Sequence, residues 1–235
     1  CKQPATARFL ARHLYNYFVA DEPQIPAWRL TPPRDQKAIE ALEKAYWDSG
    51  HSINAMLEVL FNSDFFKDEA VRYQKVKNPT EMVVSLLRMT GEFKGYQPGL
   101  FEASQEPKYM GMDLMNPPTV EGWHTGREWI DSGTLVERIN FASDLLGNTE
   151  LEGVRSLVVR LMARGDKLSP EQFVNGCLDL TGPVVLFPDT MSQLISHATN
   201  EGELSHGTDA EKIEFTRRTG EMFQMIAATA EFQFE

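Results

Sequence analysis

Cysteine is nearly absent from this sequence: 235 residues hold only Cys1 and Cys177. A disulfide-built scaffold is thereby excluded. One Cys1–Cys177 bridge is the most that could form. Two separate thiols are the expected state, Cys177 in an apolar helix and Cys1 at the terminus. Long apolar runs are missing as well. No stretch approaches the roughly 20 residues that span a bilayer, so no transmembrane segment is expected. Positive charge is in the minority, with 23 Lys and Arg against 34 Asp and Glu, a net charge of −11. That field repels phosphate backbones, and a nucleic-acid partner is set aside.

The strong chemical signatures are lacking too. The chain has no Gly-rich phosphate loop with its lysine, no dinucleotide fingerprint, no nucleophile elbow, no zincin helix and no paired-cysteine zinc motif. Its five histidines, at 13, 51, 124, 197 and 206, never stand three or four apart. A helical His pair for a metal is therefore excluded, while ligands gathered from separate segments are not. No cofactor and no metal site are assigned. Alternating strand patterns are also scarce, and 183–187 is the one candidate.

What remains is a helical protein. Hydrophobic residues make up 42% of the chain, enough to build a core, and they recur mostly at spacings of three and four. At this length roughly 70% of the unfolded surface can be buried. Helices are predicted over about 5–19, with Phe9, Leu10, Leu14, Tyr17 and Phe18 inward, and over 35–49, capped by Asp35 and stopped by Gly50. Further helices are expected from Ser52, from Pro79 to Gly91, at about 107–115, from Thr134 to Leu146, and from Leu151 to about Gly165. Ser169-Pro170-Glu171-Gln172 and Thr208-Asp209-Ala210-Glu211 read as capping boxes opening two more, with another at 189–200 between them. Residues 21–33 carry four prolines and read as an extended connector anchored by Ile25 and Trp28. The expected architecture is all-α, an irregular multi-helix bundle with long Pro/Gly-rich loops, forming one domain over 1–235 with a sub-boundary near 147–150. Residues 56–66 and 222–232 share one pattern, an apolar helix ending in a hydroxyl residue and then an aromatic anchor. Two copies of a common helix ending explain this without a repeat architecture.

The segment 116–129, Asn-Pro-Pro-Thr-Val-Glu-Gly-Trp-His-Thr-Gly-Arg-Glu-Trp, stands apart as the candidate binding loop. Gly122 and Gly126 allow a sharp turn or a close approach. Trp123 and Trp129 offer flat rings that stack on a sugar or plug a core. His124, Arg127 and Glu128 could converge as a polar set, with Arg127 suited to bidentate carboxylate binding; the preferred reading is that the tryptophans staple the loop onto the helices and Arg127 pairs with Glu128. Asp113, Glu121, Glu128 and Asp131 could supply the two carboxylates of a glycosidase-like pair, but any acidic surface offers such pairs, and solvated surface charge is the preferred reading.

Several stretches together identify a family. Pro117-Pro-Thr-Val-Glu-Gly-Trp123, then Trp129-Ile130 and Leu135-x-x-Arg138-x-Asn140-Phe141, resemble the bacterial domain-of-unknown-function family 1800. So do Pro4-Ala-Thr-Ala-Arg-x-Leu-Ala11, Leu57 to Phe66, Lys77 to Val84 and Glu231-Phe-Gln233. Tyr109-Met-Gly-Met112 departs from the family's usual Met-Gly-Gln. The resemblance implies a helical protein that is the C-terminal portion of a longer chain, so that Cys1 marks a truncation rather than a lipidated start. It further implies an extracytoplasmic or envelope setting and a sulfatase-like neighbour as protein partner. It carries no catalytic residues. The function expected is a partner-binding or envelope-associated module; the alternative is a hydrolase or carbohydrate-binding protein that uses the loop 116–129 as its site.

Overall fold

The computed structural model describes residues 2–93, 95–182 and 184–234, and eleven α-helices dominate it. The fold is all-α. Among the described residues the sheet content is one antiparallel pair, β1 (Lys167–Leu168) and β2 (Leu204–Ser205). No strand forms over 184–187, and Pro183 lies outside the described residues. No helix is long and apolar enough to cross a membrane. The chain divides into two compact units, one comprising residues up to Lys77 with His124–Glu128 and Phe234, the other Asn78–Trp123 and Trp129–Gln233.

The first unit is built on α1 (Pro4–Phe18), α2 (Gln36–Asp48) and α3 (Ile53–Asn62), with the single turn α4 (Asp64–Lys67) behind them. Pro4 sits in the first turn of α1, where its missing N–H costs nothing. Asp35 accepts the Ala38 N–H, and Ser52 accepts that of Ala55. The inner stripe of α1 differs from expectation. Ala7, Ala11 and Tyr15 face the core, Leu10, Leu14 and Phe18 flank it, and Phe9 and Tyr17 are exposed. Ala7, Ala11 and Tyr15 share this cluster with Ile39 and Leu42 of α2, which packs against α1. The connector is also less extended than its prolines suggest, because Ile25–Arg29 forms a 3₁₀ turn.

The second unit contains α5 (Pro79–Thr90), α6 (Leu100–Tyr109), α7 (Ser132–Gly147), α8 (Glu152–Met162), α9 (Pro170–Thr181), α10 (Pro188–Asn200) and α11 (Asp209–Ala227). α11 packs against α7, α8 and α9 through Phe215, Met222, Phe223 and Ile226. The capping boxes at Ser169 and Thr208 form as expected, and Asn78–Glu81 and Asp131–Thr134 add two more. α6 ends where a helix was expected to begin. Pro107 lies inside it near its C-terminal end, where it cannot donate to the carbonyl four residues back. Ser63 and Thr229 end their helices alike, each hydroxyl donating to the carbonyl three residues back, at 2.6 Å to Leu60 and 2.8 Å to Ile226.

Two polar locks close the second unit. Arg138 Nε donates to Gln233 Oε1 at 2.8 Å, and Glu231 Oε1 accepts the Phe187 N–H at 2.8 Å. Burial pushes the Arg138 guanidinium down to about 10 while Glu81 opposes the shift, so it stays cationic at neutral pH. Cys177 is buried and free, and burial drives its thiol far up, which makes it an inert packing residue; Cys1 lies outside the described residues.

α8 meets α5 at Gly153, where a Cβ would run into the backbone carbonyl of Thr90. Backbone cannot yield as a side-chain tip can. Gly153→Ala is expected to destabilise the protein by about 1–3 kcal/mol or more, read as a lower urea midpoint with an unchanged slope.

Candidate functional site

Beyond Val19, Ala20 and Pro33, the apolar residues of the 19–34 connector are only partly buried or exposed, and a buried charge helps to fix it. Arg12 on α1 donates through Nε and an Nη to Glu22 Oε2, at 2.9 and 2.6 Å. Its remaining donors reach the carbonyls of Thr31 at 2.9 Å, Pro32 at 3.2 Å and Trp28 at 3.3 Å. The other Glu22 oxygen accepts the Arg34 N–H at 2.7 Å. Both side chains are almost wholly buried. The guanidinium also lies 4.8 Å from the centre of the Trp28 ring, and Trp28 Nε1 donates to the Pro23 carbonyl at 2.6 Å. Phe9 and His13 pack edge-on against Trp28, and burial lowers the His13 pKa below its usual value.

Held this way, residues 21–24 lie between two other segments of the same unit. On one side the Asp21 N–H donates to the Gln74 carbonyl at 3.3 Å, and Asp21 Oδ2 accepts the Val76 N–H at 2.8 Å. On the other, Gln24 Nε2 donates to the Thr125 carbonyl at 2.8 Å. Gly126 makes that approach possible. It is buried with φ +62°, and a Cβ there would lie 3.2 Å from the Asp21 carboxyl. Gly122 also has positive φ but faces open space, so it serves the turn alone.

The three segments enclose a cleft of about 400 Å³, a volume suited to a small molecule. Arg34, Gln74, Thr125, Arg127 and Glu128 are among the residues that line it, with Phe234 at one side. Its acidic groups are committed to the frame: Glu22 to Arg12, Asp21 to Val76, and Glu128 to His124 Nδ1 at 2.5 Å. Arg34 contacts Gln74. Arg127 is exposed and has no hydrogen-bond or ion-pair partner among the described residues.

The candidate loop thus divides. His124, Arg127 and Glu128 belong to the first unit, while Trp123 and Trp129 belong to the second. Trp129 is only 4% exposed, and its carbonyl accepts the Thr134 hydroxyl at 3.0 Å. Trp123 is half-buried, with an indole N–H that finds no hydrogen-bond partner among the described residues. Of the other acidic candidates, Asp113 pairs with Lys108 and Asp131 caps α7, while Glu121 is exposed. A carboxylate that orients an imidazole is what a general base requires. Here the His124 and Glu128 side chains are 53% and 45% exposed, and the water exclusion that strengthens such chemistry is missing. Sequence reasoning did not assign Asp21, Gln24, Arg34 or Gln74 to a site. The available signal was the proline-rich connector itself.

Removing one partner of a buried ion pair strands the other charge, which costs about 3–5 kcal/mol. Arg12→Met is expected to destabilise the protein by that amount in urea. Arg12→Met combined with Glu22→Gln should recover part of the loss, whereas additive losses would show that the two groups do not act as a pair.

No curated protein matches the chain, and no solved structure does. The family described as Protein of unknown function (DUF1800) matches residues 1–234, and the chain belongs to it.

Proposed function

We propose that the protein is a binding module and that the cleft of its first unit holds a small organic anion through Arg127 and Arg34. The observation that carries this reading is Arg127, an unpaired guanidinium on a cleft whose carboxylates are already committed to internal partners. A planar fork of donors with nothing to bind matches a carboxylate or a phosphate. Gln74 and the Thr125 hydroxyl add neutral groups able to read the rest of such a ligand. In isothermal titration with mono- and dicarboxylates and with sugar phosphates, one class should bind at a single site. Arg127→Ala should weaken that binding roughly tenfold or more, as expected for loss of a charge-assisted contact. Equal binding by the variant, or none at millimolar ligand, would remove the reading.

A second observation favours a protein partner. Tyr96, Phe101, Tyr109, Met115 and Val120 of the second unit are all strongly exposed. Large apolar side chains left in water within one stretch of chain suit a docking surface. The sulfatase-like neighbour implied by the family resemblance is the first protein to test. Phe101→Ser with Met115→Ser should abolish its co-purification with the chain and leave titration of the cleft unchanged.

A further inference from the structure

Within the second unit, α10 and α11 bring together three groups that can bind a metal. His197 on α10 and Glu201 at its end stand four residues apart and so share a helical face. Glu221 comes from α11. One ligand atom from each of the three lies within 4.8 Å of the others. A tetrahedral site with bonds of about 2.0–2.2 Å sets its ligand atoms roughly 3.4 Å apart. A small rotamer change of Glu221 towards the other two covers the difference.

The position of Glu201 is fixed independently. Arg218 of α11 is buried and donates to the carbonyls of Ala198 at 3.1 Å, Gly202 at 3.0 Å and Glu201 at 3.3 Å. Its Nε lies 2.8 Å from Glu201 Oε2. The end of α10 is thereby tied to α11, and the carboxylate is held beside it. Positive charge already gathers there. The half-exposed Arg217 side chain contacts Glu221 and, at 3.6 Å, Glu201, while Glu214 grips it bidentately at 2.6 and 2.9 Å. Glu201, Glu214 and Glu221 outweigh Arg217 and Arg218 by one charge, so the site retains a negative excess.

We infer that His197, Glu201 and Glu221 form a binding site for a divalent transition ion of the zinc class, with Arg217 as its competitor. The imidazole selects against calcium and magnesium, which prefer all-oxygen shells. Two carboxylates and a neutral imidazole balance the ion's charge. Exposed arginine–carboxylate pairs contribute little, and Arg217 can swing into solvent while staying with Glu214. Three protein ligands leave a coordination position open, as in sites that bind an exchangeable group. Glu221 also lines a groove of about 530 Å³ with Thr149, Lys212 and Thr216, through which such a group can enter.

The test is titration of the chelator-stripped full chain with Zn²⁺ against a chromophoric competitor. One tight equivalent is expected. His197→Asn and Glu221→Gln should each weaken it roughly tenfold or more, by loss of a direct ligand. Arg217→Ala should tighten it, because the competing cation is gone, an effect that a plain ion-pair network cannot produce. His124→Asn is the control, since His124 and Glu128 form the other His–carboxylate pair at this spacing, and it should leave the tight equivalent unchanged. Thermal unfolding with and without Zn²⁺ verifies that each variant is folded. Unchanged binding in His197→Asn, or no zinc bound by either the native chain or Arg217→Ala, would overturn the assignment.

Discussion

The Arg12–Glu22 pair is the constraint on which the first unit's site depends. Residues 19–34 bury few of their apolar side chains fully, and apart from the short 3₁₀ turn at Ile25–Arg29 they form no regular backbone ladder. One guanidinium compensates by serving a carboxylate and three carbonyls at once. The pair does not need to be net stabilising to do this. Buried ion pairs often only offset their own desolvation, but any other path for the connector would leave a charge buried alone, at several kcal/mol. The gain is a unique conformation, and the cleft inherits it. Asp21 and Gln24 can reach Val76 and Thr125 only because Glu22 between them is immobile.

Helix ends were the most legible part of the fold. A cap is a local bargain between a side chain and a backbone N–H two or three residues on, so Asp35, Ser52, Ser169 and Thr208 could be read without tertiary information. Which residues lie innermost was less legible. On α1 the expected stripe followed bulk, but Ala7, Ala11 and Tyr15 face the core, and α2 packs against α1 there. The α6 error has a similar origin: a proline at the end of a helix and one at the start of the next look alike until a neighbour shows which side is buried.

The candidate loop was found by composition, while the cleft it lines could not be. The lining comes from residues near 21–24, 34, 74–76, 124–128 and 234, whose sequence separations carry no periodicity. Arg127 and Glu128 were visible as polar residues in a costly loop; Arg34 and Gln74 look like ordinary surface. The same holds for His197, Glu201 and Glu221. Their carboxylates resemble solvated charge until the fold sets one helix beside another.

The arginines sort these roles by burial. Arg12, Arg138 and Arg218 are buried, and each spends its donors on groups far away in sequence: the connector carbonyls, Gln233, and the end of α10. A guanidinium is suited to this because it stays charged even when burial depresses its pKa, and because its planar fork joins several acceptors at fixed angles. Arg138 and Gln233 fall in two of the segments that resemble the family, which assigns those segments an architectural purpose. Arg34, Arg127 and Arg217 are exposed or half-exposed; Arg127 has no partner among the described residues to give up, and the contacts of Arg34 and Arg217 cost little to break. Variation at the buried three should appear as lost stability, whereas variation at the exposed three should change what the protein binds while leaving it folded. Under the proposed anion-binding reading, Arg127, which shares the marked loop with the buried Trp129, is the position where the family's sequence hallmark would pass from architecture to recognition.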